Sequence, residues 1–291
     1  MLAPGMTYAQ PNPVLDADAI PADEATVDGG FFRQAGRAVG RAAVAVGRGA
    51  KAAYLSVDPD VRKHVAQLPL VGLTMLAPAR REPTPLPDDG HRPIVFVHGM
   101  GGGPGNFTPL QVYLHLHGWR RCYAVKLDAD DTVEAMASRV ADFVDEVARA
   151  NGLGDGAQVD LVAHSMGGIV ARVALDDPRL AGRVGVLVTL GAPHAGTWLA
   201  RYASTSNTRS MRPRSDLVQR LEAQLPWPGP PGRPRLVALW SENDMVLLPP
   251  GSACVEGAQN IEMPGFSHYG YLIHVTGFRH VRDALRDHIG S

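Results

Sequence analysis

Residues 162–174 read VAHSMGGIVARVA. The stretch begins as a run suited to a buried strand and ends as one suited to a helix, with Ser165 at the pivot. A serine hydroxyl attacks an acyl carbon only when a base takes its proton and when it projects clear of the backbone. A sharp strand–turn–helix elbow lifts the serine above a sheet and sets a helix N-terminus under the developing negative charge. So tight a turn requires small residues two before and two after the serine. Here they are Ala163 and Gly167, giving A-x-S-x-G rather than G-x-S-x-G. A serine capping a helix ahead of packing glycines has the same local pattern, so the rest of the chain must decide.

On both sides of the elbow, short apolar runs alternate with helical stretches. PIVFVHG (93–99), RCYAVKL (121–127), QVDLVAH (158–164), GVLVTLGAP (185–193), RLVALWSEND (235–244) and AQNIEMPG (258–265) read as six strands. Between them lie helical patterns at 107–117, 132–150 and 166–176, and another closes the chain at about 278–288. Runs that are apolar throughout suit a parallel sheet covered on both faces. The expected fold class is therefore α/β, a mostly parallel sheet of about six strands with helices on both sides. Ligands of such sheets sit beyond the carboxyl ends of the strands.

Three strand ends carry suitable chemistry. HGMGG (98–102) follows the first strand, and an oxyanion hole needs a backbone N–H there plus one after the nucleophile. The backbone N–H groups of Met100 and Met166 occupy those positions. A phosphate loop would instead supply Lys-Ser/Thr, which is missing. Asp244 in ENDMVLLPP follows the fifth strand, where an acid holds a histidine in one tautomer, with Glu242 as a rival. His268 in PGFSHYG follows the last strand and completes the order Ser…Asp…His. His164 beside the serine is expected to point elsewhere, and His98 and His194 to act as supporting or pocket residues. Phe107, His194, Met245, Phe266 and Tyr269 are expected in the substrate pocket, whose apolar character favours lipophilic acyl groups.

With these residues in view, the chain resembles the α/β-hydrolase superfamily, and within it small bacterial lipases and esterases of the triacylglycerol lipase type. The resemblance rests on AHSMGG (163–168), HGMGG (98–102), LGAPHAGT (190–197) and GAQNIEMPGFSH (257–268), and covers about residues 92–289. It implies a lipase or esterase working through an acyl-enzyme, with Ser165 as nucleophile, Asp244 as acid and His268 as base. Acyl transfer and thioester hydrolysis use the same residues. A non-catalytic lipid-binding protein of this fold is the alternative from another class, though it has no need of an acid behind His268. The mechanism requires no cofactor and no metal.

The remaining regions are expected as follows. Residues 1–30 read as a flexible tail, and 31–91 as a helical extension that ends in the Pro-rich linker 83–93. Within the extension, 31–57 carry Phe31 and Phe32 with Arg33, Arg37, Arg41, Arg48 and Lys51 largely on another face. That pattern suits peripheral contact with anionic lipid, or packing with snorkelling basic stems. The apolar run 68–79 is too short to span a bilayer and is expected to pack. The hydrolase domain occupies 92–291, with an insert at about 198–234 whose Leu217, Val218, Leu221 and Leu225 recur at helical spacing. The insert reads equally as a mobile lid or as a fixed helix.

Composition narrows the partners. With 28 basic and 29 acidic residues the net charge is −1, which removes the electrostatic case for nucleic acid. The two cysteines, Cys122 and Cys254, show neither CxxC nor CxxH spacing, so neither a disulfide framework nor a zinc site is expected. The N-terminus lacks a basic stretch leading into an apolar one, and no apolar run reaches 18 residues. A cytoplasmic protein, peripheral to the membrane through 31–57, is the resulting expectation.

Overall fold

The computed structural model describes residues 58–74, 83–154, 156–202 and 205–286. The tail and the basic segment 31–57 lie outside them. By internal contacts the chain divides into units 1–65 and 66–291. The described part of the first unit, from Asp58, opens helix α1 (Pro59–Thr74). Proline stands at its first helical position, and the Asp58 carboxylate accepts the Val61 N–H at 3.4 Å.

The second unit is built on six parallel strands: β1 (Ile94–Val97), β2 (Cys122–Val125), β3 (Val159–His164), β4 (Val184–Leu190), β5 (Arg235–Trp240) and β6 (Gln259–Glu262). Their spatial order is β2-β1-β3-β4-β5-β6. Helices α2 (Thr108–Leu116), α3 (Val133–Ala150), α4 (Met166–Ala174) and α7 (Val275–Arg286) fill the crossovers or close the chain. Side chains alternate across a strand, so each strand feeds two cores. Val95, Val97, Leu161 and Ala163 face α3 and α4, where Met136, Val140, Val144 and Ile169 meet them. Ile94, Phe96, Val162 and Val188 face α2 and α7, against Leu110, Leu114, Phe278 and Val281. The two-sided apolar strands of the sequence are thus explained by helices on both faces.

A buried acid interrupts the apolar run of β3. Asp160 is 2% exposed, accepts the Val186 N–H at 3.1 Å and pairs with Arg92 at 3.4 Å. Burial pushes its carboxyl up to about 6, against the opposing pull of Arg92. Both cysteines are free thiols. Burial raises Cys122 to about 12 and Cys254 to about 11. Among the described residues no helix is long and apolar enough to cross a membrane.

The insert after β4 packs against the body of the domain. It carries short helices α5 (Ser206–Ser210) and α6 (Asp216–Glu222). Leu217, Val218 and Leu221 of α6 are 6%, 1% and 0% exposed, and Trp227 joins the core beneath α3 and α4. The Asn207 amide donates to the carbonyls of Ala129 and Asp131, and Arg172 of α4 donates to the Leu221 carbonyl at 2.8 Å. The helical periodicity of Leu217, Val218 and Leu221 is the face that this helix buries.

Candidate active site

The strand order reverses at β1: the chain leaves β1 for β2 on one side and returns to β3 on the other. Loops leaving β1 and β3 therefore part and open a crevice at their carboxyl ends. Ser165 lies there with φ 56° and ψ −131°, a conformation that L-residues adopt only under strain of about 1–3 kcal/mol. The surroundings enforce it. A Cβ on Gly167 would come within 2.3 Å of the Val97 carbonyl oxygen, so α4 closes on β1 only with glycine there. A Cβ on Gly99 would come within 2.8 Å of the Ser165 Cβ, which shows how closely the loop after β1 passes the hydroxyl.

Three of the expected residues meet in one line. The Ser165 hydroxyl lies 2.9 Å from His268 Nε2. His268 Nδ1 donates to Asp244, 2.9 Å from Oδ2 and 3.1 Å from Oδ1. Asp244 is fully buried and also accepts the Val246 N–H at 3.0 Å, whereas the rival Glu242 is exposed. The carboxylate fixes Nδ1 as the protonated nitrogen and leaves Nε2 to accept from the serine.

The loop after β1 is organised through His98. The Leu127 N–H donates to His98 Nε2 at 3.1 Å, so Nδ1 carries the proton and donates to the Gly99 carbonyl at 3.0 Å. Gly102 N–H donates to the same carbonyl at 3.2 Å. Because a trans peptide is planar, holding the Gly99 carbonyl turns the Met100 N–H the opposite way. Among the described residues, the N–H groups of Met100 and Met166 have no hydrogen-bond partner in the protein. Asn106 secures the rest of the loop by accepting the Gly103 N–H at 2.8 Å.

His164 departs from the expectation that it points elsewhere. Its ring lies 4.8 Å from that of His268, and its Nε2–H donates to the His268 carbonyl at 2.9 Å. Burial first, and the neighbouring His268 second, push it down to about 3. It stays neutral and holds the loop of His268. Nothing in the local sequence signals this contact, which joins residues 104 apart.

A cavity of about 140 Å³ adjoins Ser165 and His268. Phe107, Tyr269 and Met100 line it, together with Leu68, Val71 and Gly72 of α1. His194, Met245 and Phe266 are not among its walls. His194 is turned into the core, with its Nε2 3.1 Å from the Thr189 hydroxyl, and Phe266 packs on Tyr271 and His274. Among the described residues no three of His, Cys, Asp and Glu are grouped as a metal ion would need.

Known structures share this architecture. A mature lipase of Bacillus licheniformis, BlEst2, superposes with a TM-score of 0.58 at 18% identity, covering 70% of this chain and 96% of its own. Lipase B of Aspergillus fumigatus gives 0.55 at 16% identity, over 79% of this chain and 58% of its own. The lin2722 product of Listeria innocua gives 0.51 at 13%, over 68% and 94%. The chain is an α/β-hydrolase by fold. A family model described as a PGAP1-like alpha/beta domain matches residues 129–209. That span includes the Ser165 elbow and stops before Asp244 and His268.

Proposed function

We propose that this α/β-hydrolase is a serine hydrolase that cleaves carboxylic esters of lipophilic acyl groups through an acyl-enzyme. The observation that carries the reading is the buried hydrogen-bonded line Asp244–His268–Ser165 at the strand ends. In this mechanism His268 Nε2 takes the Ser165 proton as Oγ attacks the ester carbonyl carbon, and Asp244 stabilises the imidazolium that forms. The oxyanion points to the N–H groups of Met100 and Met166. His268 then protonates the leaving alcohol, and a water activated by the same imidazole frees the acid and restores Ser165. Transfer of the acyl group to another alcohol or thiol, and hydrolysis of thioesters, differ only in the second nucleophile or the leaving group. Peripheral membrane contact through 31–57 belongs to the same proposal, tested by salt-sensitive pelleting with anionic vesicles.

The test is turnover of p-nitrophenyl esters of increasing acyl length by wild type and Ser165→Ala. Ser165-dependent hydrolysis with a burst of p-nitrophenol is expected. Absence of Ser165-dependent turnover on every ester overturns the reading.

A further inference from the structure

Helix α1 takes no part in the proton relay, yet it forms one side of the cavity. Leu68, Val71 and Gly72 stand at i, i+3 and i+4, so they share a helix face, and all three line the space beside Ser165. Val71 is 5% exposed. A Cβ placed on Gly72 would meet nothing within 4 Å, so the wall has open room at that point. The helix is fastened to the loop of the base. Gln67 Oε1 accepts from the hydroxyl of Ser267, the residue before His268, and Gln67 Nε2 donates to His274 Nε2 at 3.2 Å.

The remaining walls come mainly from the loop His98–Phe107, the loop whose amides face the carbonyl oxygen in the proposed reaction. The leaving alcohol must instead face His268 Nε2 to be protonated. The cavity also touches His268 and Tyr269, but the largest share of its lining belongs to the loop His98–Phe107, which assigns it to the acyl side of the ester. A cavity of about 150 Å³ accommodates benzene, so about 140 Å³, part of it taken by the reacting groups beside Ser165, has room for at most about six carbon atoms.

We infer that helix α1 sets the acyl-chain length this protein accepts, with Leu68 and Val71 closing the pocket after about four to six carbons. The inference rests on the ester-hydrolase reading and names its substrate class, short-chain acyl esters.

Two substitutions push in opposite directions. Val71→Ala removes part of the wall, and Gly72→Leu fills the open space beside it. The measurement is kcat/KM for p-nitrophenyl esters from acetyl to decanoyl, with thermal melting of each variant. Wild type should peak at about four to six acyl carbons. Val71→Ala should raise the decanoyl-to-butyryl ratio about tenfold, and Gly72→Leu should lower the hexanoyl-to-acetyl ratio about tenfold. Because partial unfolding scales all substrates alike, these ratios read the pocket even if a variant melts lower. Profiles that superimpose on wild type, or that both move the same way, overturn the inference while leaving the hydrolase reading intact. So does a shift that appears only when the alcohol is lengthened. Failure of wild type on every ester overturns the hydrolase reading, and this inference with it.

Discussion

Two sets of buried polar side chains lie on this sheet. His98, His164, Asp244 and His268 gather round Ser165, and Arg172 meets the insert after β4, in which Asn207 and Thr208 are themselves buried. All are under 6% exposed, and all but Thr208, which bonds within its own turn, make hydrogen bonds to residues distant in sequence. The difference is what they enclose. The first set borders an open cavity beside the N–H groups of Met100 and Met166, which have no partner among the described residues, while the second seals a helix against a packed core. A buried hydrogen bond alone therefore does not mark a reactive site. What sets the first group apart is open volume beside a serine in a strained backbone.

This contrast breaks if substitutions in the first set behave like those in the second. The largest expected effect is at the acid. Asp244→Asn should lower kcat by about 10⁴, with melting and circular dichroism unchanged, while Glu242→Gln stays near wild type. The opposite result for this pair would move the acid to Glu242. Next comes His98→Leu, which frees the Gly99–Met100 peptide. It should cost about 10² in kcat with KM little changed, as loss of one oxyanion donor does. An effect on KM alone would make His98 a substrate contact.

In the second set the losses fall on stability. Leu221→Ala should destabilise by about 2–5 kcal/mol, read from urea midpoints, with kcat/KM at 25 °C retained. A normal melt with lost activity would restore the insert as part of the site.

The smallest effect concerns acid. His164 and His194 are held below the ordinary imidazole value, chiefly by burial. Below about pH 6.5 the unfolded chain takes up protons that these native side chains refuse, so stability rises with pH in that range. It is fully present above the unfolded value and is lost on acidification, down to about pH 3 for His164. Each contributes a slope of up to about 1.4 kcal/mol per pH unit. His194→Gln should flatten the dependence of unfolding free energy between pH 7 and 5 by up to that amount. An unchanged slope would place the proton uptake elsewhere.

The sheet and the elbow were legible in the sequence because their constraints are local. Runs apolar on both faces identify parallel strands, and Ala163, Ser165 and Gly167 carry the steric demands of the turn. Asp244 was harder to separate from Glu242. The choice is made by the turn after β5, where the Ser241 carbonyl accepts the Asp244 N–H at 3.1 Å and the aspartate is turned inward. Met245 and Phe266 were placed in the pocket because they neighbour Asp244 and His268 in sequence. Loops at strand ends fold so that neighbours diverge, and Phe266 turns to Tyr271 and His274 instead. The roles of His164 and α1 rest on contacts 104 and 200 residues apart, beyond the reach of any local pattern.

The hydrogen bond from Ser267 to Gln67 has a practical consequence for anyone trimming or recombining this chain. The sheet begins at Ile94, but the lining of the crevice begins at Leu68. A version cut at the proline-rich linker keeps the whole proton relay, yet loses one side of its cavity and the clasp on the loop before His268. If α1 sets chain length as inferred, grafting Gln67 to Gly72 along with the strands carries that selectivity to another scaffold, and grafting the strands alone does not.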